Sequence, residues 1–319
     1  MSLSLPLPTQ PLPLAGLEDF VLGHWQNQPP VPLVLCLAHE SGNLRAVAHL
    51  EAQGLARPIL VGDRRTMTGL LKRAGLDRQR YTLVPASTPE QAVLASLDLL
   101  SRGEARLLMR GRVLVHDLIK TFIASPYRTA LIPRGSLLTH VGVLENPRFP
   151  RLVFVSDGGV VLRPDLNQKV LVIQNAVGVA RCLGLAKPRV ALLSAVETVS
   201  AGMPSSLDDA VLAKMAERGQ IKNAVIDGPL SIDTALLPDV ARAKDVSGPV
   251  AGQADVLIVH QIEVGNAIYK AMVVFGQSTA AGIIVGARFP IVVTSRSDSP
   301  ASKICSIYLG LMALANLKS

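Results

Sequence analysis

The sequence predicts an α/β fold of two α/β domains with mostly parallel sheets. Three observations lead there. Short apolar runs alternate with stretches of helical spacing along almost the whole chain, the βαβ rhythm of a parallel sheet. Many of the runs end in Gly, Asp or Pro, residues that turn the backbone. A length of 319 residues is long for one domain and fits two. Apolar residues make up 49% of the chain and charged ones 18%, with a mean hydropathy of +0.36. Such a chain buries a large core without disulfides or metal, and disorder is excluded for most of it.

Residues 1–14 alternate Leu with Pro and read as a loose tail; they lack the basic start and unbroken apolar stretch of a secretory signal. An apolar run at 31–38, helical spacing at 41–53 and a buried strand at 58–63 give strand, helix, strand. A helix at 89–101 and a strand at 106–109, stopping at Arg110-Gly111, continue the series. A second series starts near His140 with strands at 141–144 and 152–155, the latter ending in Ser156-Asp157-Gly158-Gly159. Asn167 is read as the N-cap of a helix at 168–185, and Lys187-Pro188 ends it before a strand at 190–193. Ser205 and Ser206 are read as caps of a helix at 207–218, followed by a strand at 224–226 and a turn, Asp227-Gly228-Pro229-Leu230. A strand at 254–260, a helix at 265–275 and strands at 282–286 and 291–294 follow, and Pro300 opens the last helix. The domain reading is 15–140 for the first α/β domain, completed by the C-terminal helix 300–319, and 141–299 for the second. No internal repeat of 20 to 50 residues is present.

Composition and motifs exclude several function classes. The charge of +8 comes from 22 Arg and 10 Lys against 24 acids and favours anionic partners. The basic residues are scattered without aromatic interleaving, which argues against nucleic acid and suits phosphate or carboxylate on a small substrate. Cys36, Cys182 and Cys305 form no CxxC pair, so the expectation is a reducing, cytoplasmic setting with no disulfide framework or structural zinc. No window of about 18 residues is apolar throughout, so no membrane span is expected. GxGxxG after a strand, GxxxxGK[ST], HExxH and GxSxG are all missing.

Two segments carry chemistry. Thr294-Ser295-Arg296-Ser297-Asp298-Ser299 follows a strand and enters the Pro300 helix, so hydroxyls, a guanidinium and backbone N–H groups converge on an anion site. The plain alternative is a helix cap by Ser299 or Asp298, with Arg296 in an ion pair. In Glu263-Val264-Gly265-Asn266-Ala267-Ile268-Tyr269-Lys270, Gly265 admits close approach of a ligand, and Lys270 lies one turn from Asn266 on the same face. A turn and cap with Lys270 in solvent is the simpler reading of that segment alone. Asp157 and Asp227, in glycine turns, can bind metal or transfer protons as a pair, but two acids in turns are expected by chance. The six histidines show no metal spacing, Cys182 reads as core, and His39-Glu40 has no assigned role.

Taken in order, Asp227-Gly228-Pro229-Leu230, Gly248-Pro249-Val250-Ala251-Gly252-Gln253-Ala254-Asp255, the Glu263 to Lys270 segment and Pro290-Ile291-Val292-Val293-Thr294-Ser295-Arg296-Ser297-Asp298-Ser299 resemble the phosphate acetyl/butyryltransferase family. The resemblance covers 139–316 well and the first 138 residues less closely; the Ser-Arg-Ser-Asp-Ser form looks more like the phosphotransbutyrylase branch. It implies two α/β/α domains with an interdomain cleft, similar to isocitrate and isopropylmalate dehydrogenases. The activity it implies is reversible acyl transfer between coenzyme A and phosphate: acetyl-CoA or butyryl-CoA plus phosphate gives acyl phosphate and CoA. Acyl-CoA, phosphate and acyl phosphate are the implied partners, with CoA as a substrate, no bound cofactor, no metal, no nucleic acid and no membrane, in a cytoplasmic homo-oligomer.

The resemblance assigns Ser295 to the thiol or thioester and Arg296 to phosphate or the transition state. Ser297, Asn266 and Lys270 join them as substrate-binding candidates, and Arg110 and Arg134 are candidate first-domain arginines. The acetyltransferase branch places an aspartate six residues after the Arg; Ser302 stands there, so Asp298, two residues after Arg296, is taken as the candidate base, with a positive cleft and no base as the alternative. Two other readings remain: a noncatalytic acyl-CoA or metabolite-binding subunit of the same fold, and a metal-dependent hydroxyacid dehydrogenase-like enzyme.

Overall fold

The computed structural model describes residues 3–25 and 28–316. The chain divides into two compact units. Unit 1 holds residues 1–6, 14–136 and 281–319, and unit 2 holds residues 7–13 and 137–280.

Unit 1 opens with α1 (Leu17–His24), β1 (Val31–Cys36), α2 (Ser41–Ala52), β2 (Ala56–Gly62) and α3 (Arg64–Arg73). It continues with β3 (Thr82–Pro85), α4 (Pro89–Ser101), β4 (Leu107–Arg110), α5 (Val115–Ala124) and α6 (Arg128–Leu131). Each strand but β3 is an almost unbroken apolar run, as strands covered on both faces require. Helix starts follow local chemistry. Asp63 accepts the Thr66 N–H at 2.8 Å to begin α3, and Thr88 accepts the Gln91 N–H at 3.1 Å ahead of Pro89 in α4.

Unit 2 runs through β5 (Thr139–Glu145), β6 (Val153–Ser156), α7 (Leu166–Cys182), β7 (Arg189–Leu193) and α8 (Pro204–Glu217). Then come β8 (Val225–Leu230), α9 (Ile232–Leu236), α10 (Pro238–Ala243), β9 (Val256–Ile258) and α11 (Ile262–Val274). Its strand order is β5-β6-β9-β7-β8, with β5 antiparallel to β6 and the other pairs parallel. The chain leaves unit 2 within β10 (Thr279–Val285) and ends in unit 1 with β11 (Ile291–Val292) and α12 (Pro300–Asn316). In unit 1 the order is β3-β2-β1-β4-β11-β10; all these pairs are parallel except β11 with β10.

α12 is buried almost all round, with Ile307 through Ala313 in the core of unit 1. A Cβ on Gly310 would sit 2.8 Å from Val292 Cγ2, so glycine lets the helix lie directly on β11. Of the expected C-terminal helix, residues 317–319 lie outside the described residues.

Five local expectations are corrected. From residue 3 onward the supposed loose tail is packed: Leu3 and Leu5 are buried, and in unit 2 the Leu12 N–H donates to the Leu183 carbonyl at 2.9 Å. The apolar half of a Leu-Pro repeat is enough to dock an extended strap. Met1 and Ser2 of that stretch lie outside the described residues. The cap of α7 is Asp165, not Asn167, because Asp165 forms a reciprocal capping box with Gln168 three residues on. α8 starts at Pro204, with Met203 at the cap position; the Ser206 hydroxyl instead donates to the Ser200 and Met203 carbonyls. Asp227-Gly228-Pro229-Leu230 is the extended end of β8, paired with β7, and not a turn. Gly265 lies inside α11, not at its start, held by a close approach to the Asp157 carbonyl.

Gly184 tests the docked strap: at φ +88° any Cβ there would collide with the Gln10 carbonyl. Gly184→Ala is expected to lower unfolding stability by about 1–2 kcal/mol in urea titrations and to speed proteolytic cleavage within residues 7–13.

Candidate active site

The strand order of unit 1 creates a switch point. From β1 the chain moves through α2 to β2 and β3, then returns through α4 to β4 on the other side of β1. The connections leaving β1 and β4 therefore diverge at their carboxyl ends, where open parallel sheets bind ligands. The β1 and β4 backbones are close there: Gly111 donates to the Cys36 carbonyl at 2.8 Å and Arg112 to the Leu37 carbonyl at 3.0 Å. Any side chain at Gly111 would strike those carbonyls. β11 is parallel to β4, so residues 294–299 leave the sheet at this same edge.

Four buried polar groups build the base of that edge. Arg110, at the end of β4, donates Nη1 to the Val113 carbonyl at 2.7 Å and Nη2 to the Thr294 carbonyl. Burial, and after it the charge of Arg296, pulls the Arg110 pKa below its ordinary value, while Glu40 and Asp298 act to raise it. Asn43, in the first turn of α2 and 1% exposed, donates Nδ2 to the Arg110 carbonyl at 3.2 Å and accepts the Thr294 hydroxyl at 3.1 Å. Lys303, in α12, donates Nζ to the Ser295 carbonyl at 2.8 Å and lies 3.4 Å from Glu40 Oε1.

Above them the 295–299 loop is organised by its own side chains. Asp298 Oδ2 accepts the Ser295 N–H at 2.6 Å, and the Ser295 and Ser297 hydroxyls are 2.9 Å apart. Ser299 caps α12 by accepting the Ser302 N–H at 3.1 Å. Ser302 itself is buried. Arg296 is exposed and forms no ion pair among the described residues.

The structure thus brings Ser295, Arg296, Ser297, Asp298 and Arg110 to one edge of unit 1. Arg110 is committed to two carbonyls, and Arg134 is exposed on the segment after α6. Asn266 and Lys270 belong to unit 2; the Asn266 amide donates to the Gly158 carbonyl at 3.1 Å, and Lys270 faces solvent one turn on. Asp157 is a structural acid: its carboxylate accepts N–H groups of His140, Gly159 and Val160. Asp227 accepts the Gly228 N–H at 2.9 Å, and burial raises its pKa. Among the described residues no three His, Cys, Asp or Glu side chains group to hold a metal. Burial pushes the Cys36 and Cys182 thiols up to about 12, so both are inert core residues.

Sequence reasoning missed Asn43, Glu40 and Lys303, which no motif marks. It also missed a cluster in unit 2, where fully buried Asp209 lies 2.8 Å from His260 Nε2 and Lys169 pairs with Asp208 at 2.6 Å. His39, unassigned in sequence, accepts the Asp63 N–H on Nε2 at 2.9 Å and ties the ends of β1 and β2 together.

Comparison with known proteins meets this geometry. A family model described as "Phosphate acetyl/butaryl transferase" matches residues 90–310, more than half of the chain. The chain belongs to that family. A phosphate butyryltransferase of Clostridium acetobutylicum is 36% identical over 285 residues, 89% of this chain and 93% of its own length. A phosphate acetyltransferase of Thermotoga maritima is 34% identical over 277 residues, covering 87% of this chain and 93% of its own. A crystal structure of a branched-chain phosphotransacylase from Enterococcus faecalis V583 superposes with a TM-score of 0.76 at 29% identity, covering 90% of this chain and 99% of that one. As a phosphate acetyl/butyryltransferase family member, the protein is an acyltransferase.

The His39 contact requires a neutral ring, because the nitrogen accepts a proton it does not carry. Burial, with the nearby Arg112 charge, lowers the His39 pKa below its ordinary value. The unfolded chain therefore binds this proton at a higher pH than the folded one, and stability drops as pH falls from the unfolded value through the folded one. Urea unfolding from pH 7.5 down to 5.5 is expected to show this loss in the wild type and a smaller one in His39→Gln.

Proposed function

We propose that the protein transfers short acyl groups reversibly between coenzyme A and phosphate, with Ser295 and Arg296 at the reacting centre. The observation that carries this reading is the exposed Arg296 guanidinium, with no ion pair among the described residues, on a loop whose base is fixed by buried cations. A guanidinium left without a carboxylate, beside two hydroxyls at the carboxyl edge of a parallel sheet, is poised for a phosphate dianion.

In the direction of CoA acylation, the thiolate sulfur attacks the acyl carbon, the S–C bond forms, and the bond from carbon to the phosphate oxygen breaks. Negative charge grows on the carbonyl oxygen and then on the departing phosphate, and fixed donors lower that barrier. Arg296 binds the phosphate, and Ser295 orients the sulfur or the carbonyl oxygen. A thiol near pKa 8.5 also needs help to ionise at neutral pH. Arg296, with the buried cations Arg110 and Lys303 beneath it, supplies part of it, and Asp298 is the group assigned to take the thiol proton. Ser297, Arg110 and Arg134 from unit 1, with Asn266 and Lys270 from unit 2, are the further substrate-binding candidates. Coenzyme A enters as a substrate, and the reaction needs no resident cofactor or metal.

The protein is read as a cytoplasmic homo-oligomer. Its three cysteines are free, and α11 with its C-cap residue exposes Val264, Val274 and Phe275 to solvent, large apolar side chains of the kind that partners cover. No helix among the described residues is long and apolar enough to cross a membrane.

Purified protein mixed with phosphate and acetyl-, propionyl- or butyryl-CoA is expected to release free thiol in proportion to acyl phosphate formed. No phosphate-dependent release from any of the three overturns the reading. Arg296→Ala is expected to lower kcat/KM about 10²–10³-fold with an unchanged melting temperature; wild-type turnover in that variant moves the site elsewhere.

A further inference from the structure

We propose that Lys303 is a positioning residue for phosphate, which fixes the Ser295-Arg296 peptide and lends the loop its positive charge. The inference rests on the acyl-transfer reading above. Lysine is almost never fully buried unless paired, and an ammonium taken out of water costs several kcal/mol before partners offset it. Yet the Lys303 side chain is only 4% exposed, on a helix whose other buried residues are apolar apart from Ser302 and Ser306. Methionine or leucine would fill the same space at lower cost.

The partners explain the choice. Nζ donates to the Ser295 carbonyl at 2.8 Å, and Arg110 grips the Thr294 carbonyl just before it. A trans peptide is planar, with N–H and C=O on opposite sides. Holding the Thr294 oxygen directs the Ser295 N–H the other way, where Asp298 receives it. Holding the Ser295 oxygen likewise directs the Arg296 N–H away from Lys303. Two adjacent peptide planes are thereby set by two cations, and Arg296 leaves the backbone from a fixed base. The structure makes room for this. Gly42 faces Lys303, and a Cβ there would lie 3.0 Å from Lys303 Cε and 3.1 Å from Glu40 Oε1.

Charge points the same way. Glu40 is the one carboxylate paired with Lys303 among the described residues, at 3.4 Å, and it also lies within electrostatic reach of Arg110. Counted with the loop above, Glu40 and Asp298 stand against three cations, Arg110, Lys303 and Arg296, which leaves a net positive charge that attracts a dianion.

The test uses the full chain as wild type, Lys303→Met, Lys303→Arg and Glu40→Gln. It measures inorganic phosphate affinity by calorimetry, KM for phosphate and for acyl-CoA, and melting temperature. Lys303→Met is expected to weaken phosphate binding at least about tenfold, the scale on which outer partners of binding groups act, with the acyl-CoA KM within about twofold. Lys303→Arg is expected to recover part of the phosphate affinity. Glu40→Gln is expected to tighten phosphate binding, a change that a merely structural role does not produce. Unchanged phosphate affinity in folded Lys303→Met, or an equal rise in both KM values, overturns the proposal. If Lys303→Met does not fold, Glu40→Gln decides alone: tighter phosphate supports the proposal, and equal or weaker binding overturns it. A wild type that neither binds phosphate nor turns over fails the acyl-transfer reading and this one with it. An active wild type with unresponsive variants fails this one alone.

Discussion

Two consecutive carbonyls, of Thr294 and Ser295, are each held by a buried cation, and the candidate site depends on that arrangement. A loop between a two-residue strand and a long helix has little intrinsic order, since backbone entropy opposes any one conformation. Here Arg110 reaches in from β4 and Lys303 from α12, so the loop is clamped by both neighbouring elements. Asn43 completes the base, its amide satisfying the Arg110 carbonyl and the Thr294 hydroxyl together. Buried polar groups that are paired in this way hold one geometry; of the Arg110 guanidinium, Nε alone is buried without a hydrogen-bond partner. Side chains that point outward from such a base can be placed to within the tolerance that catalysis needs.

The sheet of unit 1 explains why these groups meet. Parallel strands put the ends of β1, β2, β4 and β11 on one edge, so residues more than 250 positions apart in sequence, such as Asn43 and Thr294, become neighbours. Glycine admits close approach where a side chain would not fit, of the β1 backbone at Gly111 and of the Lys303 side chain at Gly42. Unit 2 uses the same device on its own sheet: Gly265 of α11 rests on the Asp157 carbonyl after β6, and the Asn266 amide then reaches Gly158.

Much of the fold was legible because its signals are local. Thr88-Pro89 starts α4, which runs over Pro89–Ser101 as expected, and the apolar runs locate β1, β2, β6 and β7 within two residues. Errors came where two local signals compete. Asn167 is a fair cap, but Asp165 with Gln168 satisfies two N–H groups instead of one. The Leu-Pro stretch alternates, but its prolines rule out an ordinary helix or paired strand, so the pattern did not show that it docks through Leu3, Leu5 and the Leu12 N–H. Likewise the Ser-Arg-Ser-Asp-Ser loop stood out because hydroxyls and a guanidinium cluster before a helix. Glu40, Asn43, Arg110 and Lys303 belong to the same network through tertiary contacts, and spacing along one chain does not encode those.

The most direct measurement is a crystal structure of the protein soaked in phosphate. A phosphate is expected within hydrogen-bond distance of the Arg296 guanidinium and of the Ser295 or Ser297 hydroxyl, with Lys303 still on the Ser295 carbonyl. Phosphate bound elsewhere while Arg296 makes no contact with it, or Lys303 released from that carbonyl, contradicts it.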